Sequence, residues 1–189
     1  MIKRIVCWIF VLLSSLQLSA QDKTYHGDGI DTYLEYSPWL AVYALKVLSV
    51  ESASSWKRLL VNSALSYVVA AGSVQFLKTT IHERRPDGTN NRSFPSGHAA
   101  ISFAGANVLH HEYGQLSPWI SVGGFAAATF VSVDRVVRNR HHWYDVAAGA
   151  AIGYLSTELG YRLGDLITGE RSRYDISVSP QGLSMAVRF

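Results

Sequence analysis

Between Lys78 and His98 the chain reads KTTIHERRPDGTNNRSFPSGH, and few folds have a use for such a run. Lys78 offers a compact ammonium with three donors, and Arg85 a planar fork that can grip two oxygens of one phosphoryl group. Pro86 cannot extend a helix and disfavours helical backbone at Arg85, so a helix carrying Lys78 is expected to end here. Asp87, Gly88, Asn90 and Asn91 are loop formers. Pro95-Ser96-Gly97 then opens the apolar run AAISFAGANVL, which reads as a helix. Ser96 suits its N-cap, and the N–H groups of that first turn are natural anion donors. His98 stands in the same turn.

A second stretch, Arg135 to Asp145, places His141 six residues after an Arg and four before an Asp. On a helix the four-residue spacing puts His141 and Asp145 on one face. Asp145 can then accept the Nδ1 proton and aim Nε2 outward, which makes a neutral imidazole an oriented nucleophile or base.

Lys78-x6-Arg85-Pro86, then Pro95-Ser96-Gly97-His98, then Arg135-x5-His141-x3-Asp145 resembles the three-part signature of the type 2 phosphatidic acid phosphatase (PAP2) superfamily. That superfamily also includes bacterial acid phosphatases and vanadium haloperoxidases. The resemblance covers about residues 75–155. One position departs from the pattern: Asp134 stands where a Ser usually precedes the Arg, and it either pairs with Arg135 or faces away. The resemblance implies that His141 attacks phosphorus, that Asp145 holds its tautomer, and that His98 protonates the leaving oxygen and then activates water. It implies that Lys78, Arg85, Ser96, the Gly97 amide and Arg135 hold the phosphoryl oxygens. Cationic donors already in place remove the need for a metal, so no cofactor is expected, with vanadate as an inhibitor or, in a haloperoxidase, the cofactor.

Singly, each residue has a duller use. Lys78 could be an exposed helix-end cation, Arg85 a partner of Glu83 or Asp87, and His98 an extension of a helix cap. His141 could be a structural imidazole, and Asp145 an N-cap. His82, His110, His111 and His142 match no motif position and read as structural or solvated; only His141 keeps both spacings. The remaining local cations, Arg84, Arg92, Arg138 and Arg140, broaden the positive field.

Composition sits between soluble and membrane classes: 48% of the 189 residues are hydrophobic and 16% charged, at a mean hydropathy of +0.10. Residues 1–20 read as a secretory signal peptide. Lys3 and Arg4 precede an apolar core from Ile5 to Leu13, and cleavage fits between Ala20 and Gln21. The single Cys, Cys7, lies inside this segment, so the mature chain is expected to have neither thiol chemistry nor disulfide. Without Lys3 and Arg4 the formal charge of +3 falls to +1, which argues against nucleic-acid binding.

The expected fold is all-α, a PAP2-like bundle of about five to six helices followed by a short C-terminal β-hairpin. A polar, loose leader is expected over 21–36, the helical domain over 37–169 and the hairpin over 170–189. Helices are expected from Ser37 to about Val50, Trp56 to about Thr80, Ser96 to about Tyr113, Pro118 to about Val137 and Trp143 to about Leu163. Leu59 to Leu77 is long enough to cross a bilayer, but Asn62, Ser63, Ser66, Ser73 and Gln75 dilute it, and a buried core helix is the equal alternative. Gly149 and Gly153, four apart, let helices approach closely. In the tail, Tyr174, Ile176 and Val178 alternate with polar residues, and Leu183, Met185, Val187 and Phe189 do so again after a turn at Ser179–Gly182. Two strands cannot close a barrel, so this hairpin is expected to fold onto the helices or a partner.

The leading function is an exported, metal-independent phosphatase of a phosphomonoester or diphosphate, on a lipid of the lipid A, polyprenyl diphosphate or phosphatidate type. It would lie in the periplasm or envelope membrane of a Gram-negative-type bacterium, with its site on the non-cytoplasmic side. The alternatives are a soluble acid phosphatase, a vanadium haloperoxidase and a non-catalytic envelope protein that binds a phosphorylated lipid. Oligomeric state is open.

Overall fold

The structure, a computed structural model, describes residues 31–172 and the strand residues 174–179 and 182–187. The expected signal peptide, Cys7 and most of the leader lie outside the described residues. Among the described residues six helices run in chain order: α1 (Asp31–Leu34), α2 (Ser37–Val47), α3 (Trp56–Thr80), α4 (Gly97–Tyr113), α5 (Pro118–Val137) and α6 (Trp143–Thr168). Strands β1 (Tyr174–Ser179) and β2 (Gly182–Val187) pair antiparallel with each other, Tyr174 opposite Val187.

Local chemistry sets most boundaries. Ser55 caps α3 by accepting from the Arg58 N–H at 3.1 Å, and Ser117 caps α5 just before Pro118, where the missing N–H costs nothing. α3 ends at Thr80, well before Pro86, because Ile81 turns to extended backbone. The loop 81–95 therefore lies between two helices rather than on the end of one. α6 runs five residues past its expected end and stops where Gly169 adopts left-handed backbone at φ 70°, a conformation glycine takes without steric cost. The leader is not loose throughout: residues 31–34 form α1, and Asp31 is fully buried, because its carboxylate meets two arginines.

α4 is the central helix. Its sequence is apolar on every side, as expected of a helix surrounded by others, and it packs against α2, α3, α5 and α6. Trp39 of α2 lies over Gly105 and donates its indole N–H to the Ile101 carbonyl at 2.9 Å. Gly149 and Gly153 of α6 do face α4: a Cβ at either would run into the backbone carbonyl of Ser96 or Ala100. Further along α6, Gly160 and Gly164 make the same close approach to Ser66 and Asn62 of α3. At the end of the bundle remote from Lys78, Glu112 accepts from Ser54 (2.6 Å) and Tyr161 (2.7 Å), and Arg58 forks onto Asp165. These bonds supply partners to groups that burial would otherwise leave bare.

Two helices, α3 and α5, are long and apolar enough to cross a membrane, and only 33% and 28% of their apolar windows are buried inside the protein. Val68 and Phe76 on α3, and Trp119 and Phe130 on α5, stand exposed. Within Leu59–Leu77 only Leu59, Asn62, Ser63, Ser66, Ala70 and Val74 are buried, so a fully buried core helix does not describe that stretch.

Candidate active site

The signature residues come together at one end of the bundle, where the 81–95 loop and the α5–α6 turn are tied to each other. α5 ends at Val137 with Arg138 as its C-cap, and Asn139 takes left-handed backbone at φ 55°, which Asn tolerates better than most residues. The chain reverses there, and the N–H groups of Arg140 and His141 both point back to the Arg135 carbonyl, at 3.0 and 3.3 Å. Across the cleft the Asp87 N–H donates to the Asn139 carbonyl at 3.1 Å, and Arg140 donates to the Asp87 carboxylate at 2.9 Å. The Ser96 N–H donates to the Asp145 carbonyl at 2.9 Å. The Tyr144 hydroxyl donates to Glu83. Bonds from backbone and side chain thus fix the loop against the turn that carries His141.

His141 and Asp145 meet, but not on one helix face. His141 precedes α6; His142 is the N-cap and Asp145 the third helical residue, joined in a reciprocal capping box. Asp145 Oδ2 accepts from the His142 N–H at 2.8 Å and from the Ser93 hydroxyl at 2.5 Å, and lies 3.5 Å from His141 Nδ1. The spacing was right and its geometry was not: four residues span a turn followed by a cap. His142 also approaches Asp145 Oδ2, at 3.3 Å, and stacks on Tyr144. It is the more open of the two rings, with 34% of its side chain exposed against 2% for His141, and its bonds belong to the cap.

Burial drives the His141 imidazole down to about 4; the Asp145 contact opposes this, and the charges of Arg85, Lys78 and Arg135 add to the fall. The ring is therefore neutral at physiological pH, with a lone pair to offer. Burial acts to raise the Asp145 carboxyl, but the contact with His141 and the bonds from Ser93 and His142 outweigh it and hold the group below its usual value. For His141 the folded value lies below the ordinary 6.5. Between these values the unfolded chain binds a proton that the native chain refuses, so stability is full above pH 6.5 and drains away toward pH 4. At about 1.4 kcal/mol per unit the loss is on the order of 3–4 kcal/mol. Thermal midpoints measured across this window should fall with pH in the wild type and fall less in His141→Asn.

The phosphate-ligand candidates surround this pair. Lys78, near the end of α3, donates to the Arg92 carbonyl at 2.8 Å. Arg85 pairs with neither Glu83 nor Asp87; its Nε donates to Asn90 at 3.1 Å, and its Nη1 is buried with no partner among the described residues. Burial, then Arg140 and Arg135, push its guanidinium down from the usual value. Ser96 is fully buried and caps α4, accepting from the Ala99 N–H at 3.4 Å, with Gly97 and His98 as the first two helical residues. Arg135 is 1% exposed, and its Nε likewise has no partner among the described residues. Asp134 pairs with Arg138 at 3.7 Å. The carboxylate on Arg135 is instead Asp31, which also binds Arg138 at 2.9 Å and lies 3.9 Å from His98 Nε2.

Asp31 and Ser93 escaped the sequence reading. Ser93 lies inside the motif stretch, but nothing in a lone Ser announces that it will reach Asp145. Asp31 had a faint signal: with Glu35 it sets two carboxylates four apart at the end of the leader. For a cation, the described residues offer one set, Glu83, His142 and Asp145, whose ligand atoms lie within 4.8 Å of one another. Those atoms already serve the cap and the Tyr144 contact.

Fold and site together define a helical bundle with cationic side chains gathered around a buried histidine at one end. The PAP2 superfamily profile matches residues 59–166, more than half of the chain, and the protein belongs to that superfamily. It is 40% identical over 151 residues to lipid A 1-phosphatase of Porphyromonas gingivalis, covering 79% of this chain and 34% of that protein. It is 39% identical over 83 residues to lipid phosphate phosphatase 1 of Arabidopsis thaliana, covering 38% of this chain and 25% of that one. The chain thus spans a quarter to a third of these relatives' lengths. Among solved structures, that of Aquifex aeolicus LpxE superposes with a TM-score of 0.59 at 24% identity, covering 79% of this chain and 94% of that one, which supports the fold.

Proposed function

We propose that the protein is a metal-independent phosphatase that removes phosphate from a membrane lipid through a phosphohistidine at His141. The observation that carries this is a buried, neutral His141 seated on Asp145 among the charges of Lys78, Arg85 and Arg135. Both guanidiniums keep a buried N–H without a partner among the described residues, and a phosphoryl oxygen would satisfy it.

His141 Nε2 attacks phosphorus as the bond to the leaving oxygen breaks, and His98 gives that oxygen a proton. Asp145 stabilises the cation that forms on His141. His98 then takes a proton from water, whose oxygen displaces His141 and yields inorganic phosphate. Lys78, Arg85, Ser96, the Gly97 amide and Arg135 carry the charge on the three phosphoryl oxygens, the work a metal does elsewhere. The outward-facing apolar surface of α3 and α5 supports a core seated in lipid, with the site near one membrane face. The name of the Porphyromonas relative makes lipid A phosphate the first substrate to try.

The test is phosphate release by purified protein in detergent, with lipid A, polyprenyl diphosphate, phosphatidate and a soluble aryl phosphate, each with and without a chelator. Release from at least one lipid, undiminished by the chelator, is expected. Release from the aryl ester alone would move the protein to the acid phosphatases, and turnover restored only by a divalent ion would defeat the metal-free mechanism.

A further inference from the structure

Asp31 lies outside all three motifs, yet its carboxylate is fully buried at the centre of the site. One oxygen binds Arg135 and the other Arg138, so two guanidiniums compensate its charge. Burial acts to raise the carboxyl, but these arginines and His98 outweigh it and hold the group ionised. The Arg135-bound oxygen is also 3.9 Å from His98 Nε2. One helical turn on, Glu35, 7% exposed, sets a carboxylate oxygen 3.7 Å from His98 Nδ1. Both ring nitrogens of His98 thus face carboxylates from the segment before α2, while Arg135 of α5 and Arg138 at its C-cap bind Asp31.

We propose that Asp31 and Glu35 are positioning residues: Asp31 clamps Arg135 and, with Glu35, sets the ring of His98 between two carboxylates, so that the segment preceding the motifs completes the site. This rests on the phosphatase reading. A different role is conceivable for the same contact, in which Asp31 occupies Arg135 as a stand-in for phosphate and must leave before substrate enters. The geometry favours a resident group, because departure would break two ion pairs at once and strand the buried Arg135, although Arg138 would keep Asp134. With Nη1 of Arg135 held by Asp31, its Nε stays buried without a partner among the described residues and can donate to a phosphoryl oxygen.

The test compares Asp31→Asn and Glu35→Gln with the wild type in full-length protein, well below each variant's thermal midpoint. Two readouts are taken: steady-state phosphate release, and titration of the His98 ring followed by NMR with labelled histidine. A general acid contributes on the order of 100-fold or more to such a step, so a misplaced one should cost Asp31→Asn roughly 10- to 100-fold in kcat with little change in KM. Glu35→Gln, which leaves Arg135 clamped, should lose less. In both variants His98 should titrate at lower pH than in the wild type, because each removes a negative charge facing the ring. An increase in turnover on Asp31→Asn would establish the phosphate stand-in and overturn the proposal, as would unchanged kcat with an unmoved His98 titration. Should the wild type itself release no phosphate from any ester, the phosphatase reading fails separately, and the His98 titration alone decides whether these carboxylates act on the ring.

Discussion

Replacing His141 with Ala should lower turnover by on the order of 10⁴-fold or more, the loss seen when a covalent nucleophile is removed, while the fold survives. Survival is expected because His141 makes no side-chain bond that the bundle depends on; its ring touches Asp145 at 3.5 Å and otherwise fills space. Trapping with labelled substrate gives the sharper readout. An acid-labile phosphoenzyme should form in the wild type, be absent in His141→Ala and persist in His142→Ala. The last variant matters because both rings approach the same carboxylate oxygen. Losing the N-cap should cost His142→Ala about 1 kcal/mol of stability without removing the nucleophile. Label that survives in His141→Ala and vanishes in His142→Ala would move the chemistry to the neighbouring ring.

The second large effect is expected at Asp145. Asp145→Asn keeps the shape but replaces a charged acceptor with an amide, and the imidazole loses the group that fixes its tautomer. A loss in kcat of roughly 10³- to 10⁴-fold follows by analogy with the acid of a nucleophile–His–Asp triad, with KM little changed. Asp145→Ala should add a folding defect, because the Ser93 hydroxyl and the His142 N–H both donate to this carboxylate. Stranding buried donors costs about 1–3 kcal/mol each. Kinetics and thermal midpoints on the two variants separate the chemical role from the capping role. Equal kcat in Asp145→Asn and the wild type would reduce Asp145 to a cap.

The bundle itself was largely legible. The starts of α3 at Trp56 and α5 at Pro118 could be read directly, and their ends approximately, because Ser55, Ser117 and Pro118 announce helix starts through local bonds that need no tertiary partner. Gly149 and Gly153 gave away a close helix approach, though not which helix; Gly160 and Gly164 carry the same signal toward α3 and went unread. The end of α6 was misplaced despite Gly169, whose left-handed backbone is a stop signal in plain view.

The site divides along a similar line. Which residue types take part, and their order along the chain, belongs to the sequence: two histidines, one acid and a set of cations at spacings that match the PAP2 signature. How His141 reaches Asp145 does not, because a spacing of four fits either a helix face or a turn followed by a cap, and only the reversal at Asn139 chooses the cap. Nor could the chain reveal that the carboxylate on Arg135 comes from Asp31, 104 residues away, and not from adjacent Asp134. Local hydrogen bonds and hydrophobic periodicity act over a few residues and are written in order along the chain. Ion pairs between distant segments depend on which helix ends the packing of small residues brings together, and that is settled only when the whole bundle closes.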